Sequence, residues 1–393
     1  MKVYLDNSAT SWPKPETVYQ AADNYARNIG ANPGRSGYDQ AVASGRILLE
    51  ARSLLAQLFN ATDPGHIVLA FNATDALNMA IKGVLEPGDH VVTTSMEHNS
   101  VLRPLNGLAQ RGQITFTVVP GDKFGQVAAD QVAAAIQENT KLIIATHVSN
   151  VVGTVAPLAE IGKIAQEKGA LFLVDGAQSA GNTEIDVQSM SIDLLAFTGH
   201  KALLGFQGTG GLYIRPGLNI KPWREGGTGS VSEQDTQPEF FPDCLEAGTA
   251  NTHGWASICA GIEYIQKIGV AEINTKEWEL THYFLEGLAA IPKITVYGPE
   301  ITVQRGPIVS CNIAGVDAGI AGFELAERYG IMCRTGLHCA PYAHKTIGTY
   351  PEGTIRFSLS HFTTRAELDY TLRSLQEFCR TEGADACGPK YFT

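Results

Sequence analysis

The sequence predicts an α/β protein: a mostly parallel sheet flanked by helices, followed by a smaller α+β unit. Three observations carry this. From Ile67 to Phe197 six short β-rich runs, HIVLAF, HVVTTS, ITFTVV, LIIATHV, ALFLV and DLLAF, alternate with helical stretches such as 128–138 and 158–168. That is the rhythm of strand–helix–strand units, whose ligands gather at strand C-termini. Past Thr252 the rhythm changes: HGWASICAGIEYIQKI and EWELTHYFLEGLAAI read as long helices, then strands near 308–313 and 354–359 and a closing helix over 365–379. Finally, 393 residues exceed what one small core usually holds. The expected division is 15–260 for the large unit, with 1–14 and 261–393 forming the smaller one.

Taken in order, an extended piece at 3–5 precedes Asp6-Asn7-Ser8-Ala9-Thr10, and the proline pair Pro13 and Pro15 leads into a helix through Val18, Ala22 and Tyr25. The segment Asn32-Pro33-Gly34-Arg35-Ser36-Gly37 is too rich in glycine and proline for regular structure. It reads either as linkage or as backbone shaped to approach an anion. A helix follows with Leu48, Ala51, Leu55 and Leu58 on one face. There is no internal repeat or low-complexity tract, and the tail 381–393 reads as a mobile end.

Hydrophobic residues at 44% and charged residues at 18% describe an ordinary globular chain. No apolar run reaches the roughly 18 residues that suggest a membrane span, and MKVYLDNSATSW has no secretory core, so the expectation is a cytoplasmic protein. The net charge of −11 argues against nucleic acid or a membrane surface as partner, since both demand basic patches. Seven cysteines with no regular spacing read as thiols in a reducing compartment.

The chemistry concentrates where strands end. Thr74 follows the first run and begins a helix, where it and the free amides of the first turn would hold a phosphate, or serve only as an N-cap. His98 ends the second run, suited to stacking on an aromatic ring, to moving a proton, or to a structural role. Asn150 follows LIIATHV, Asp175 ends ALFLVD with Gln178 three residues on, and LLAFTGHK delivers Lys201 off a buried strand. A lysine there either reaches solvent or loses hydration, and desolvation favours the neutral, nucleophilic amine that a Schiff base requires. With a carboxylate at a neighbouring strand end the pair suits pyridoxal phosphate (PLP), Asp175 holding the ring nitrogen protonated and Lys201 bonding the aldehyde.

These motifs, VDGAQ, Thr198-Gly199-His200-Lys201 and Tyr4-Leu5-Asp6-Asn7-Ser8-Ala9-Thr10, resemble the class V branch of fold-type I PLP enzymes over nearly the whole chain. Arg334-Thr335-Gly336-Leu337-His338-Cys339-Ala340 is similar to the catalytic-cysteine loop of cysteine desulfurases and selenocysteine lyases. Only 17 positions separate Cys339 from Arg356, similar to the short connection of the group II, SUF-type members. The resemblance implies a seven-stranded-type large-domain sheet. It also implies that Lys201 carries the cofactor, Asp175 pairs with the ring nitrogen, Gln178 and Asn150 face the ring hydroxyl, and His98 stacks on the ring. Thr74, Thr198 and His200 would bind the phosphate, joined by Thr249 from the partner of a homodimer. Asp75, where the family usually shows Glu, is counted with the cofactor-binding set, and Leu337 stands where a His is common in group II. Arg356 would grip the substrate carboxylate as a fork, with Asn150 beside it.

The implied reaction removes sulfur from L-cysteine: the freed Lys201 amine takes the Cα proton and the Cys339 thiolate attacks the sulfur, leaving L-alanine and a persulfide for a sulfur-acceptor protein. Selenocysteine is a second expected substrate. Two other readings stand beside this: an aminotransferase or other carbon–sulfur lyase of the same branch in which Cys339 is a bystander, and a non-catalytic sulfur carrier or scaffold. Zinc at Cys333, His338, Cys339 and His344 is not expected, because adjacent His338 and Cys339 cannot easily face one tetrahedral ion. Cys387 reads as a passive terminal thiol or a relay for sulfur.

Overall fold

The structure, a computed structural model, describes residues 1–34 and 36–381. Arg35 and the tail with Cys387 lie outside the described residues. The chain opens with β1 (Val3–Tyr4). Seven strands then build one sheet: β2 (Ile67–Ala70), β3 (Asp89–Thr94), β4 (Ile114–Val119), β5 (Thr140–Thr146), β6 (Leu171–Asp175), β7 (Leu194–Thr198) and β8 (Gly210–Ile214). Their spatial order is β2-β8-β7-β6-β5-β3-β4. Six run parallel and β8 alone runs against its neighbours β2 and β7.

The six expected strands appear within a few residues of the apolar runs, because β-branched stretches buried on both faces have few alternatives. The seventh, GGLYI, sits where the sequence reads as a glycine-rich turn. Its glycines serve close approach instead: a Cβ at Gly210 would lie 2.5 Å from the Asn72 Cα, and one at Gly211 would lie 2.5 Å from the Phe197 ring. Helices cover both faces. Phe172, Phe197, Trp255 and Ile258 belong to one apolar layer, and Leu77, Met79, Ile81 and Leu212 to the other.

The smaller unit contains β9 (Ile294–Tyr297), β10 (Ile308–Ile313), β11 (Ile331–Met332), β12 (Arg334–Gly336) and β13 (Thr354–Ser358). Four of them form an antiparallel sheet in the order β12-β13-β10-β9, backed by helices Val270–Ala289 and Arg365–Thr381 through Phe284, Phe357 and Phe378. β1 pairs in parallel with β11, so the N-terminus is stitched into this unit. Ala340 and Ala343, just past β12, pack instead into a core layer of the large sheet. The loop between them therefore straddles the two units. Among the described residues no helix is long and apolar enough to cross a membrane, and no group of three or more His, Cys, Asp or Glu is placed to hold a metal ion.

Candidate active site

A cavity of about 220 Å³ opens at the C-terminal edge of the large sheet, where β3, β5, β6 and β7 end and the smaller unit closes over them. Lys201 enters it from the turn after β7, and Asp175 from the last residue of β6. Each acts electrostatically on the other across this space. Burial pushes the Lys201 amine down to about 8, with the nearby Asp175 opposing that fall and the guanidinium groups of Arg356 and Arg334 reinforcing it. The Asp175 carboxyl is raised by burial, against the Ala177 amide that donates to Oδ1 at 2.9 Å and the charge of Lys201.

His98 stands beside them as the N-cap of helix Asn99–Gln110. Its Nδ1 accepts from the Ser100 amide at 3.1 Å and lies 2.9 Å from the Ser100 hydroxyl, which in turn lies 2.7 Å from Thr74 Oγ1. With Nδ1 accepting, the ring proton resides on Nε2. Burial and the neighbouring cations push the imidazole down to about 4, so it is an uncharged plate at neutral pH.

An anion cradle lies at the start of helix Ala73–Val84. Asn72 is its N-cap, accepting from the Asp75 amide at 2.9 Å, so Thr74 is not the cap. Among the described residues the Ala73 and Thr74 amides have no acceptor, and together with Thr74, Ser100, Thr198 and His200 they line one part of the cavity. The buried Nδ1 of His200 also lacks a partner. Its backbone is fixed by the N-terminal segment, the Ser11 amide and the Thr10 hydroxyl donating to the His200 carbonyl at 3.0 and 3.1 Å.

The opposite wall carries cations. Arg356, on β13, is 2 % exposed; its Nη1 donates to the Asn150 carbonyl at 3.0 Å and its Nη2 to Asp6 Oδ1 at 2.8 Å, while Nε is buried without a partner. Arg334 on β12 lines the same wall. Cys339 is exposed at the rim, on a loop held by its main chain: Asn150 Nδ2 donates to the His338 carbonyl at 2.7 Å, and the Asn99 amide donates to the Cys339 carbonyl at 2.7 Å. His338 and Cys339 adopt left-handed φ values of 47° and 59°, a costly choice for two consecutive side chains.

Ten of the twelve residues named from the sequence thus meet at this cavity, Asn150 and Gln178 included. Two do not. Asp75 turns its carboxylate back to the Phe71 amide at 3.0 Å, a helix-start contact that keeps it off the cavity wall. Thr249 is exposed and lines a separate cavity beside Arg52 and Glu246, so this chain does not bring it to its own Lys201. Gln178 reaches the wall but donates Nε2 to the Ser8 carbonyl at 3.2 Å. Asp6, Arg334 and Ser100 escaped the sequence reading as site residues, although Asp6 and Arg334 stood in quoted motifs, since only the assembled fold reveals their neighbours.

The aminotransferase class-V profile matches residues 3–371. The chain belongs to that family. A probable cysteine desulfurase of Methanothermobacter thermautotrophicus is 36% identical over 381 residues, covering 95% of this chain and 94% of that one. A cysteine desulfurase of Salmonella dublin is 33% identical over 389 residues, covering 97% and 94%. Among solved structures, the cysteine desulfurase of Thermococcus onnurineus superposes with a TM-score of 0.91 at 33% identity, covering 97% of this chain and 95% of that chain. One from Escherichia coli gives 0.87 at 29%, with the same coverage.

Class-V members use pyridoxal phosphate, and the side chains here suit it. An amine of lowered basicity would suit its aldehyde, a buried carboxyl its ring nitrogen, an uncharged imidazole its flat ring, and unpartnered helix amides with an orphaned His200 Nδ1 its phosphate.

Proposed function

We propose that this class-V protein is a PLP-dependent cysteine desulfurase acting as a homodimer, with residues 15–260 as the cofactor-binding part and 1–14 with 261–393 as the smaller part. The observation that carries the reading is one cavity holding Lys201, Asp175, Arg356 and, at its rim, Cys339. When bound, the cofactor supplies an electron sink for the pair left as a substrate C–H bond breaks. Lys201 would hold it and, once released, take the Cα proton; Asp175 would keep the ring nitrogen protonated; His98 would cover the ring; Thr74, Thr198 and His200 would hold the phosphate.

Arg356, with its spare buried Nε, and Arg334 would orient the substrate carboxylate, and Asn150 would brace both Arg356 and the cysteine loop. Cys339 Sγ would attack the substrate sulfur, forming an S–S bond as the Cβ–S bond breaks, and a proton reaching Cβ completes alanine. The short helix Pro341–Thr346 and a turn lead from Cys339 directly into β13, a compact connection that supports the group II assignment. Sulfur would then pass to a protein thiol. An open groove from Cys339 past Lys82, Arg103 and Arg111, none ion-paired among the described residues, supports an acidic acceptor. Selenocysteine would fit the same contacts.

Mass spectrometry of the purified holoenzyme after cysteine is added should find one extra sulfur on the Cys339 peptide, with alanine released. Alanine formed at the normal rate by Cys339→Ala would overturn the persulfide assignment in favour of a lyase or aminotransferase. A protein that takes up no PLP would leave only a carrier or scaffold.

A further inference from the structure

Glu97 lies directly before His98, yet none of the chemistry above employs it. Its side chain is fully buried. At the point where β3 and β5 part, Oε1 accepts both the Thr94 hydroxyl at 2.6 Å and the Thr146 amide at 2.9 Å. Oε2 is buried with no partner at all. Thr146 is paired in register with Asp175, so Glu97 touches the strand end next to the carboxyl that faces the cavity. Asp175 is the one charged neighbour acting on Glu97; Thr94 and Thr146 supply hydrogen bonds.

A carboxylate with one bare oxygen away from water is far costlier than a carboxylic acid in the same place. Two buried carboxyls side by side resist double ionisation as well, and the one with the poorer hydrogen-bond supply keeps its proton. Asp175 has Lys201 as an opposite charge; Glu97 has none.

We propose that Glu97 is a positioning residue that stays an uncharged acid, clamping the ends of β3 and β5 so that Asp175 and His98 are held in place and Asp175 is the only negative charge beneath the cofactor ring. This rests on the PLP reading for what Asp175 faces, but not for the state of Glu97 itself. Burial moves Glu97 up to about 8, in agreement with the geometry.

The test uses the holoenzyme and the PLP-free chain. Glu97→Gln copies the shape of the neutral acid, so the pH midpoint of the holoenzyme's visible absorbance should stay within about 0.2 units of wild type, whereas Glu97→Ala should weaken PLP retention about tenfold or more. A midpoint moved by a full unit in Glu97→Gln would mean a charged Glu97 and overturn the proposal, as would Glu97→Ala retaining PLP like wild type. The PLP-free protein gives a separate reading if Glu97→Ala fails to fold or if no PLP binds. An acid whose pKa rises on folding stabilises the fold below its unfolded value and loses that contribution as pH climbs towards its folded value. The contribution of Glu97 should therefore be lost between about pH 5 and 8, so that the thermal stability of Glu97→Gln relative to wild type rises across that range. An identical pH slope in both proteins would sink the inference even if the desulfurase assignment stands; absence of PLP binding with a flattened slope would sink the assignment and leave the inference standing.

Discussion

Lys201 and Cys339 face one cavity from supports of different kinds. Lys201 leaves β7, a strand buried along its whole length and clasped between β6 and β8, and its chemistry comes from burial: an amine pushed down to about 8 beside a carboxyl raised in the same low-dielectric space. Cys339 is exposed, on a loop between β12 of the smaller unit and a helix packed on the larger one, in a backbone conformation that side chains avoid. On the proposed roles, carbon chemistry would depend on a buried strand end, while sulfur capture would depend on a side chain that both substrate and acceptor can reach. The loop gains its order from two main-chain contacts, Asn150 to His338 and Asn99 to Cys339, rather than from burying its own side chain.

Breaking the buried side should have the largest effect. Lys201→Ala is expected to cut alanine formation by about four orders of magnitude, the upper range for loss of a positioned proton acceptor, and to change the holoenzyme's visible spectrum. Cys339→Ala should also abolish alanine formation from cysteine but leave the spectrum as in wild type. Identical spectra in the two variants would erase the distinction between the two supports. Acidity separates them further. The free Lys201 amine must be unprotonated to accept the Cα proton, so kcat should fall as pH drops through about 8 and rise above it. A pH–rate profile flat from pH 6 to 9 would contradict that role.

Next in size is Arg356→Lys. One guanidinium spans the Asn150 carbonyl on one side and Asp6 on the other, with Nε left over. A lysine offers a single compact charge and cannot hold both partners while meeting a substrate carboxylate. Steady-state kinetics should show KM raised roughly 10- to 100-fold, about 1.4 to 2.7 kcal/mol, with a smaller loss in kcat. A fall in kcat with KM unchanged would place Arg356 outside substrate binding.

The same contrast decides what the sequence could reveal. Strand ends were legible because each buried run stops at a polar residue, and ligands of parallel sheets gather there; Asp175 and Lys201 follow from that rule alone. The loop was legible only through the resemblance of its motif, because an exposed thiol has no periodic signature. Pairings that cross the chain left no local trace: Asp6 meets Arg356 350 positions away. β8 was hidden because glycine serves turns and close approach alike, and only Asn72 lying against Gly210 tells which. Asp75 and Thr249 were carried in by resemblance; a helix-start contact claims the first, and the second lies beyond reach within one chain.

The smallest expected effect probes the loop's backbone. At φ 59°, Cys339 sits in the left-handed region, which costs a residue with a Cβ about 1 kcal/mol relative to glycine. Cys339→Ala and Cys339→Gly both lack the thiol, so neither makes a persulfide, and in the folded state at this exposed site they differ in backbone strain. Glycine also gives the unfolded chain more freedom, which works the other way and leaves a net advantage of under about 1 kcal/mol for the glycine variant. Equilibrium denaturation should place the Cys339→Gly midpoint above that of Cys339→Ala. The reverse order would mean that residue 339 relaxes out of the left-handed region once its thiol is gone, and that the two main-chain contacts do not fix the loop.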